Sequence, residues 1–290
     1  VKQHRTIWAF TVAIALVALV TIAYRNWPEF APGDAPSASP ELPDTLDTQI
    51  AHMLPLLEKD PRVRRTGTWS AVRAVAKRAQ SDPSPRAEAV YALGLVLFYA
   101  DEDYRAAERA FRQAAVLKPA WAWPHNNLAI LFFREERLEE SDASFEEAKR
   151  LAPDWSRPHS DRAILLRIDG NLEGALEEAR TAADMDPENA ATRNNLGNVL
   201  HNLGEYKLAE AEYIRATTLD PDLASPQFNL ACLYTRLGDT ARALPFLETT
   251  LELDPNFAAY AESDPDLEAL RMDPAFEALL APYRKRLEES

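Results

Sequence analysis

The chain has 290 residues, 47% of them hydrophobic, with 32 Lys and Arg against 46 Asp and Glu and a formal net charge of −14. That length admits one or two domains with a buried core, and the negative balance disfavours non-specific attraction to nucleic-acid phosphates. Cys232 is the single cysteine, which excludes an intrachain disulfide and leaves the redox compartment open.

Thr6 to Tyr24 carries no charge between Arg5 and Arg25. As a helix it spans roughly 28 Å, close to the ~30 Å of bilayer hydrocarbon. Trp8 near one end and Tyr24 and Trp27 near the other suit the membrane interface. An uncleaved single-pass anchor is therefore expected within residues 1–27, with the transmembrane helix at about 6–24. The competing reading is a cleavable signal peptide, whose apolar region is normally ~7–15 residues and for which Thr21-Ile22-Ala23 is a poor cleavage site. Lys2 and Arg5 precede the span and only Arg25 follows closely. This small bias favours a body outside the cytoplasm, on the periplasmic side of an inner membrane if the source is bacterial. Residues 28–44, rich in Pro, Ala and Ser, are expected to form an extended tether. Residues 45–86 read as a degenerate helical unit, with helices over Leu46–Leu54 and Thr68–Gln80 and a closing Asp82-Pro83.

From residue 87 onward one pattern recurs with a step of 34 residues. Pro119, Pro153, Pro187, Pro221 and Pro255 close successive units, and a residue pair ending in Gly or Ala marks each opening helix: Leu93-Gly94, Leu128-Ala129, Arg162-Ala163, Leu196-Gly197 and Leu230-Ala231. Within 190–223, Leu196, Gly197 and Leu200 fall on one helix, Gly204 breaks the chain, and Tyr206, Ala209, Tyr213, Ala216 and Leu219 recur at helical spacing. Small residues let helices cross closely while Leu and Tyr fill the gaps, and proline stops the unit because it removes a backbone donor. The pattern predicts five helix pairs, at 87–121, 122–155, 156–189, 190–223 and 224–256, then capping helices over 257–290.

This pattern resembles the tetratricopeptide repeat. Small and large residues recur in register as Ala107, Phe111 and Ala114; Phe145 and Ala148; Ala175, Ala179 and Ala182; and Ala243 with Leu247. The departures are one extra residue near Asp101–Asp103, Arg162 in a usual Leu place, Ser141 and Thr250 in usual Ala places, and Pro245 inside a helix that it should bend or loosen. The resemblance implies an all-α fold: a right-handed superhelical solenoid of antiparallel helix pairs, here preceded by a single transmembrane helix and capped by C-terminal helices. It also implies that the first helix of each unit lines a concave groove, while the second faces outward.

Sorted on that geometry, the first helices carry Arg134, Arg157, Arg162, Arg167, Arg193 and Arg236 against Glu135, Asp161 and Asp169. The second helices are acidic, so the inner wall is expected to be neutral to basic and suited to an acidic or carboxylate-bearing peptide. The alternative is that these arginines pair with their neighbours. Asn127, Asn195 and Asn229 share one place in their units, where the family can present a ladder of amides to an extended peptide, and Asp161 interrupts that ladder. Asn194, Asn198 and Phe228 complete the candidate groove set of Asn127, Arg134, Arg157, Arg167, Asn195, Asn229 and Arg236. Asn198 and Asn229 match part of the family's carboxylate clamp, but Ala259 and Ser263 stand where its basic pair is expected. Trp123, Phe133, Phe228 and Tyr234 serve either as core or as anchors for a partner.

Catalysis finds little support. His125 and His159 occupy equivalent places one repeat apart but lack further ligands in the pattern, and His201 lies on a different turn. Adjacent pairs such as Glu139-Glu140 and Glu177-Glu178 point in different directions on a helix. The sequence has no GxxxxGK[ST], GxSxG, HExxH or CxxC motif, so no catalytic, cofactor or metal site is expected. The functional expectation is a membrane-tethered scaffold or assembly factor binding protein segments in its groove and no nucleic acid. The alternatives are an exported soluble adaptor or a non-catalytic subunit of an envelope enzyme complex.

Overall fold

A computed structural model describes residues 86–289 and, before them, residue 74 alone; for 285–289 it describes the backbone only. The expected anchor, the tether and the unit at 45–86, apart from residues 74 and 86, lie outside the described residues. Five helical hairpins follow one another: α1 (Ala87–Tyr99) with α2 (Tyr104–Leu117), α3 (Ala122–Arg134) with α4 (Leu138–Leu151), and α5 (Arg157–Ile168) with α6 (Leu172–Met185), then α7 (Ala190–Asn202) with α8 (Tyr206–Leu219), and α9 (Ala224–Arg236) with α10 (Thr240–Leu253). We call the first helix of each hairpin A and the second B. A short α11 (Phe257–Ser263), a 3-10 turn at Pro265–Leu267, α12 (Glu268–Arg271) and α13 (Pro274–Glu289) follow. Every regular element among the described residues is helical.

Each hairpin turns at one residue with left-handed backbone: Glu102 at φ 52°, Glu136 at 60°, Gly170 at 84°, Gly204 at 79° and Gly238 at 79°. After α7 the Glu205 N–H donates to the Leu200 carbonyl at 2.9 Å and the Gly204 N–H to that of His201 at 2.9 Å. These two bonds satisfy carbonyls that the helix end leaves open, and they fix the angle at which the B helix departs. In the first hairpin the Asp103 N–H reaches Leu97 at 2.9 Å, one residue further back, which absorbs the extra residue near Asp101–Asp103. Asp103, Asn171 and Asp239 then cap their B helices through side-chain oxygens.

In the first and fourth hairpins a glycine on the A helix faces an aromatic ring on the B helix. A Cβ added at Gly197 would lie 2.5 Å from the Tyr213 ring, and one at Gly94 would lie 2.6 Å from Phe111. Ser141 and Thr250, in places usually held by Ala, are buried, and their hydroxyls donate to the carbonyls of Ala129 and Phe246 at 2.8 Å each. Pro245 lies inside α10, whose helical run from Thr240 to Leu253 it does not interrupt.

The apolar interior divides at the junction of the second and third hairpins. One large cluster joins α1–α4 and Leu165, a second begins with Ala163 and runs into the cap, and a small third one joins Ala190, Ala216 and Leu223. The contact of α4 with α5 is the sparsest between any B helix and the next A helix. Arg162 explains it, since a cation replaces the expected Leu and draws carboxylates into the junction. Its guanidinium meets Glu146 at 2.7 Å, Glu178 at 2.9 Å and Asp142 at 3.0 Å. At the far end Leu267, Leu270, Phe276 and Leu280 are fully buried against the last hairpin and cover its apolar face. Among the described residues no helix is long and apolar enough to cross a membrane.

Candidate partner-binding groove

The spacing of the helices decides which face is concave. From α3 onward, consecutive A helices (α3, α5, α7 and α9) pack on one another directly, whereas consecutive B helices hardly meet. A stack pinned closely on one side and splayed on the other curves toward the pinned side. The A helices therefore line the inner wall.

That wall is held by a repeated hydrogen bond. Asn127 Nδ2 on α3 donates to the Tyr91 hydroxyl on α1 at 2.8 Å; Asn195 Nδ2 on α7 donates to Ser160 Oγ on α5 at 2.9 Å. Asn229 Nδ2 on α9 donates to the Oδ1 atoms of Asn194 and Asn198 on α7, both at 2.8 Å. At the remaining junction Asn126 Nδ2 on α3 donates to Asp161 Oδ2 on α5 at 2.7 Å. All four junctions between A helices thus use the same two places, and only the direction of donation is reversed at Asp161. Asp161 continues the series rather than interrupting it. These amide donors bind helix to helix, so what a ligand meets along this seam is the remaining oxygen capacity of the amides and the side chains that flank them. Buried polar pairs of this kind set register, because a slipped helix strands them without partners.

The arginines divide into three groups. Arg162 and Arg193 leave the inner wall: Arg162 turns to the acidic side chains of α4 and α6, and Arg193 reaches Glu212 at 3.3 Å and the Pro187 carbonyl at 3.2 Å. Arg134 and Arg157 lie over aromatic faces, Arg134 at 4.5 Å from the Tyr104 ring centroid and Arg157 at 5.9 Å from that of Trp123. Trp123 itself stacks on Trp155 with centroids 4.8 Å apart, so it belongs to the floor more than to an anchor. Arg236 and Arg167 gather near the C-terminal end of the groove. Arg236 Nε donates to the Tyr206 hydroxyl at 2.8 Å and Nη1 to Asp266 Oδ1 at 2.7 Å. Burial pulls the Arg167 guanidinium below its ordinary pKa, offset in part by Tyr213. Arg167 meets no carboxylate at ion-pair distance among the described residues.

Phe228 is buried and packs on Phe257 of α11 with centroids 5.0 Å apart, which covers it from the groove. Tyr213 donates its hydroxyl to Asn198 Oδ1 at 2.9 Å and so ties the B-helix core to the seam. Of the histidines, His159 pairs with Glu178 at 2.6 Å, burial lowers the His125 pKa, and His201 faces Asp266. Cys232 is buried, and that burial pushes its thiol pKa well up, the state of an inert packing residue. The structure thus brings Asn194, Asn195, Asn198 and Asn229 together with Arg167 and Arg236 in the C-terminal half of the wall. Asn127, Arg134 and Arg157 stand apart in the N-terminal half. The sequence pattern placed Asp161 on this wall as a break in the ladder and did not mark Tyr91, Asn126, Ser160, His201 and Asp266 as parts of it; pairing each residue with the one 35 places away identifies most of the seam.

Residues 188–256 match the sequence profile of the tetratricopeptide repeat family. No curated protein sequence matches the chain. Among solved structures, the Cut9–Hcn1 hetero-tetramer of APC/C is similar over 82% of this chain and 52% of the other, with TM-score 0.58 and 17% identity. Yeast Tom70 is similar over 84% and 50%, with TM-score 0.59 and 19% identity. The type IV pilus biogenesis factor PilW is similar over 70% and 93%, with TM-score 0.55 and 16% identity. The chain spans about half the length of the first two. At these identities the likeness is one of fold. The stacked hairpins form a solenoid of the tetratricopeptide-repeat type, and residues 188–256 carry that family's sequence.

Proposed function

We propose that this chain is a non-catalytic, membrane-tethered scaffold that holds segments of partner proteins in the groove lined by α3, α5, α7 and α9. The observation that carries this reading is the inner wall itself. The seam of interhelical hydrogen bonds makes it a preformed surface, and Arg157 and Arg167 stand on it without a carboxylate at ion-pair distance among the described residues. A preformed wall binds with less ordering cost than a mobile one, and unneutralised cations favour an acidic or carboxylate-bearing segment. The uncharged run from Thr6 to Tyr24 supports a single-pass anchor with the solenoid on the non-cytoplasmic side. Tethering would raise the effective concentration toward other membrane proteins without adding contacts. The solenoids similar in fold include one solved within a hetero-tetramer and one that is a pilus biogenesis factor, which agrees with a role in assembly.

Site-specific photo-crosslinking in cells of the source organism tests this. Crosslinkers at Arg157 and Asn202, on the A helices, should capture one common partner, while crosslinkers at Glu139 and Arg180, on the B helices, should not. A partner captured only from the B-helix positions overturns the groove reading. Recovery of the chain in the soluble fraction, lacking its first residues, would favour an exported adaptor over a tethered scaffold.

A further inference from the structure

At its C-terminal end the groove meets a carboxylate supplied by the chain itself. The turn Pro265–Leu267 packs on α9, and Asp266 in that turn touches two A helices at once. Arg236 Nη1 donates to Asp266 Oδ1 at 2.7 Å, and His201 Nε2 on α7 lies 3.6 Å from Oδ2. The His201 side chain is 10% exposed, and its Nε2 makes no hydrogen bond among the described residues. Arg167 occupies, on α5, the place that His201 occupies on α7. The two are electrostatic neighbours: burial lowers the His201 pKa, Asp266 opposes that, and Arg236 and Arg167 reinforce it. Asp266 therefore serves Arg236 directly and His201 at longer range. Arg167 has the Tyr213 hydroxyl nearby and no carboxylate at ion-pair distance among the described residues. A partly buried guanidinium with no carboxylate at ion-pair distance among the described residues is an unfavourable arrangement that an incoming anion relieves.

We propose that Arg167, His201 and Arg236 form a carboxylate-binding site at the C-terminal end of the groove, in which Asp266 is a resident stand-in for a ligand carboxylate. The ligand is an acidic segment of a partner protein: one of its Asp or Glu side chains engages the Arg167 fork, and a second exchanges with Asp266 at Arg236 and His201. The proposal rests on the groove reading above and adds the chemistry of the partner to it. It also makes the wild-type chain a weakened binder, because the competent state is populated only when the turn at Pro265–Leu267 withdraws its carboxylate.

The test is fluorescence anisotropy of the full chain with fluorescein-labelled hexaglutamate at low salt, with hexaglutamine as the uncharged control. Asp266→Asn should tighten hexaglutamate binding about fivefold or more by removing the resident competitor. Arg167→Met should weaken it about tenfold in both the wild-type and Asp266→Asn backgrounds, and Arg167→Lys should recover part of that loss. The Asp266→Asn arm needs no change to a buried residue, so it stands even if Arg167→Met unfolds. Absence of any gain in Asp266→Asn, equal affinity in a folded Arg167→Met, or equal binding of hexaglutamine overturns the site. If these fail while Arg157 and Asn202 still crosslink a common partner, the carboxylate site falls and the groove reading stands. If hexaglutamate binds as described while no partner crosslinks from the wall, the scaffold reading falls instead.

Discussion

Replacing Gly197 by alanine sets two effects of opposite sign against each other. Gly197 lies inside α7, where glycine is about 1 kcal/mol less favourable than alanine, so helix propensity alone makes the substitution stabilising. The packing argues otherwise. The new Cβ would lie 2.5 Å from Tyr213 Cε1, 2.6 Å from Cδ1 and 3.2 Å from Cζ, against an optimal carbon–carbon separation of roughly 3.5–4.0 Å. The ring cannot simply turn aside, because Tyr213 is 1% exposed and its hydroxyl is bonded to Asn198 Oδ1, which also accepts from Asn229. Overpacking of this kind costs about 1–3 kcal/mol and here disturbs the seam as well, so the net effect is a destabilisation of about 1–2 kcal/mol. Urea denaturation followed by far-UV circular dichroism measures it. In a Tyr213→Leu background the clash is relieved, and the same Gly197→Ala change should become stabilising by up to about 1 kcal/mol. A stabilising Gly197→Ala in the wild-type chain would refute the close helix crossing on which the hairpin geometry rests.

Three further outcomes follow from the structure. A double-mutant cycle on Asn126→Leu and Asp161→Leu should return a coupling energy of about 1–3 kcal/mol, the value for buried partners in one polar network; additive effects would remove the seam as a structural device. Glu136→Gly should raise stability by about 0.5–1 kcal/mol, because a left-handed residue with φ 60° then loses its Cβ clash, and thermal denaturation reads the gain. At Glu178 burial alone would raise the pKa, but hydrogen bonds from His159 and Lys149 outweigh it and hold the carboxyl below its ordinary value. A depressed carboxylate pKa contributes stability that is complete above the unfolded value, about 4.3, and is lost as the pH falls through the folded value. The chain's acid limb should therefore flatten in Glu178→Gln, and loosening in acid should begin at the junction of α4, α5 and α6; an unchanged acid limb would count against that network.

The period in the sequence reports the helix pairs because proline, small residues and Gly170, Gly204 and Gly238 each act within a single turn of chain. Glu102 and Glu136 adopt the same left-handed backbone without glycine, and only their place in the period reveals it. The seam was legible in part. Comparing Asp161 with Asn127 and Asn195 makes it a break, but its hydrogen bond joins it to Asn126 on the preceding A helix, a relation that depends on how hairpins stack. Arg162 and Arg193 sit on A helices and count as groove charges along the chain, yet their long side chains reach to acidic residues on B helices. Asp266 was not legible at all. It lies in the aperiodic cap, and its place in the groove depends on where the turn before α12 docks.

Hydrogen exchange on the complex with a groove-crosslinked partner tests the central claim most directly. Binding in the groove predicts slowed exchange along α3, α5, α7 and α9, with α4, α6 and α8 unchanged. Protection confined to the B helices, with the A helices exchanging as in the free chain, would contradict it.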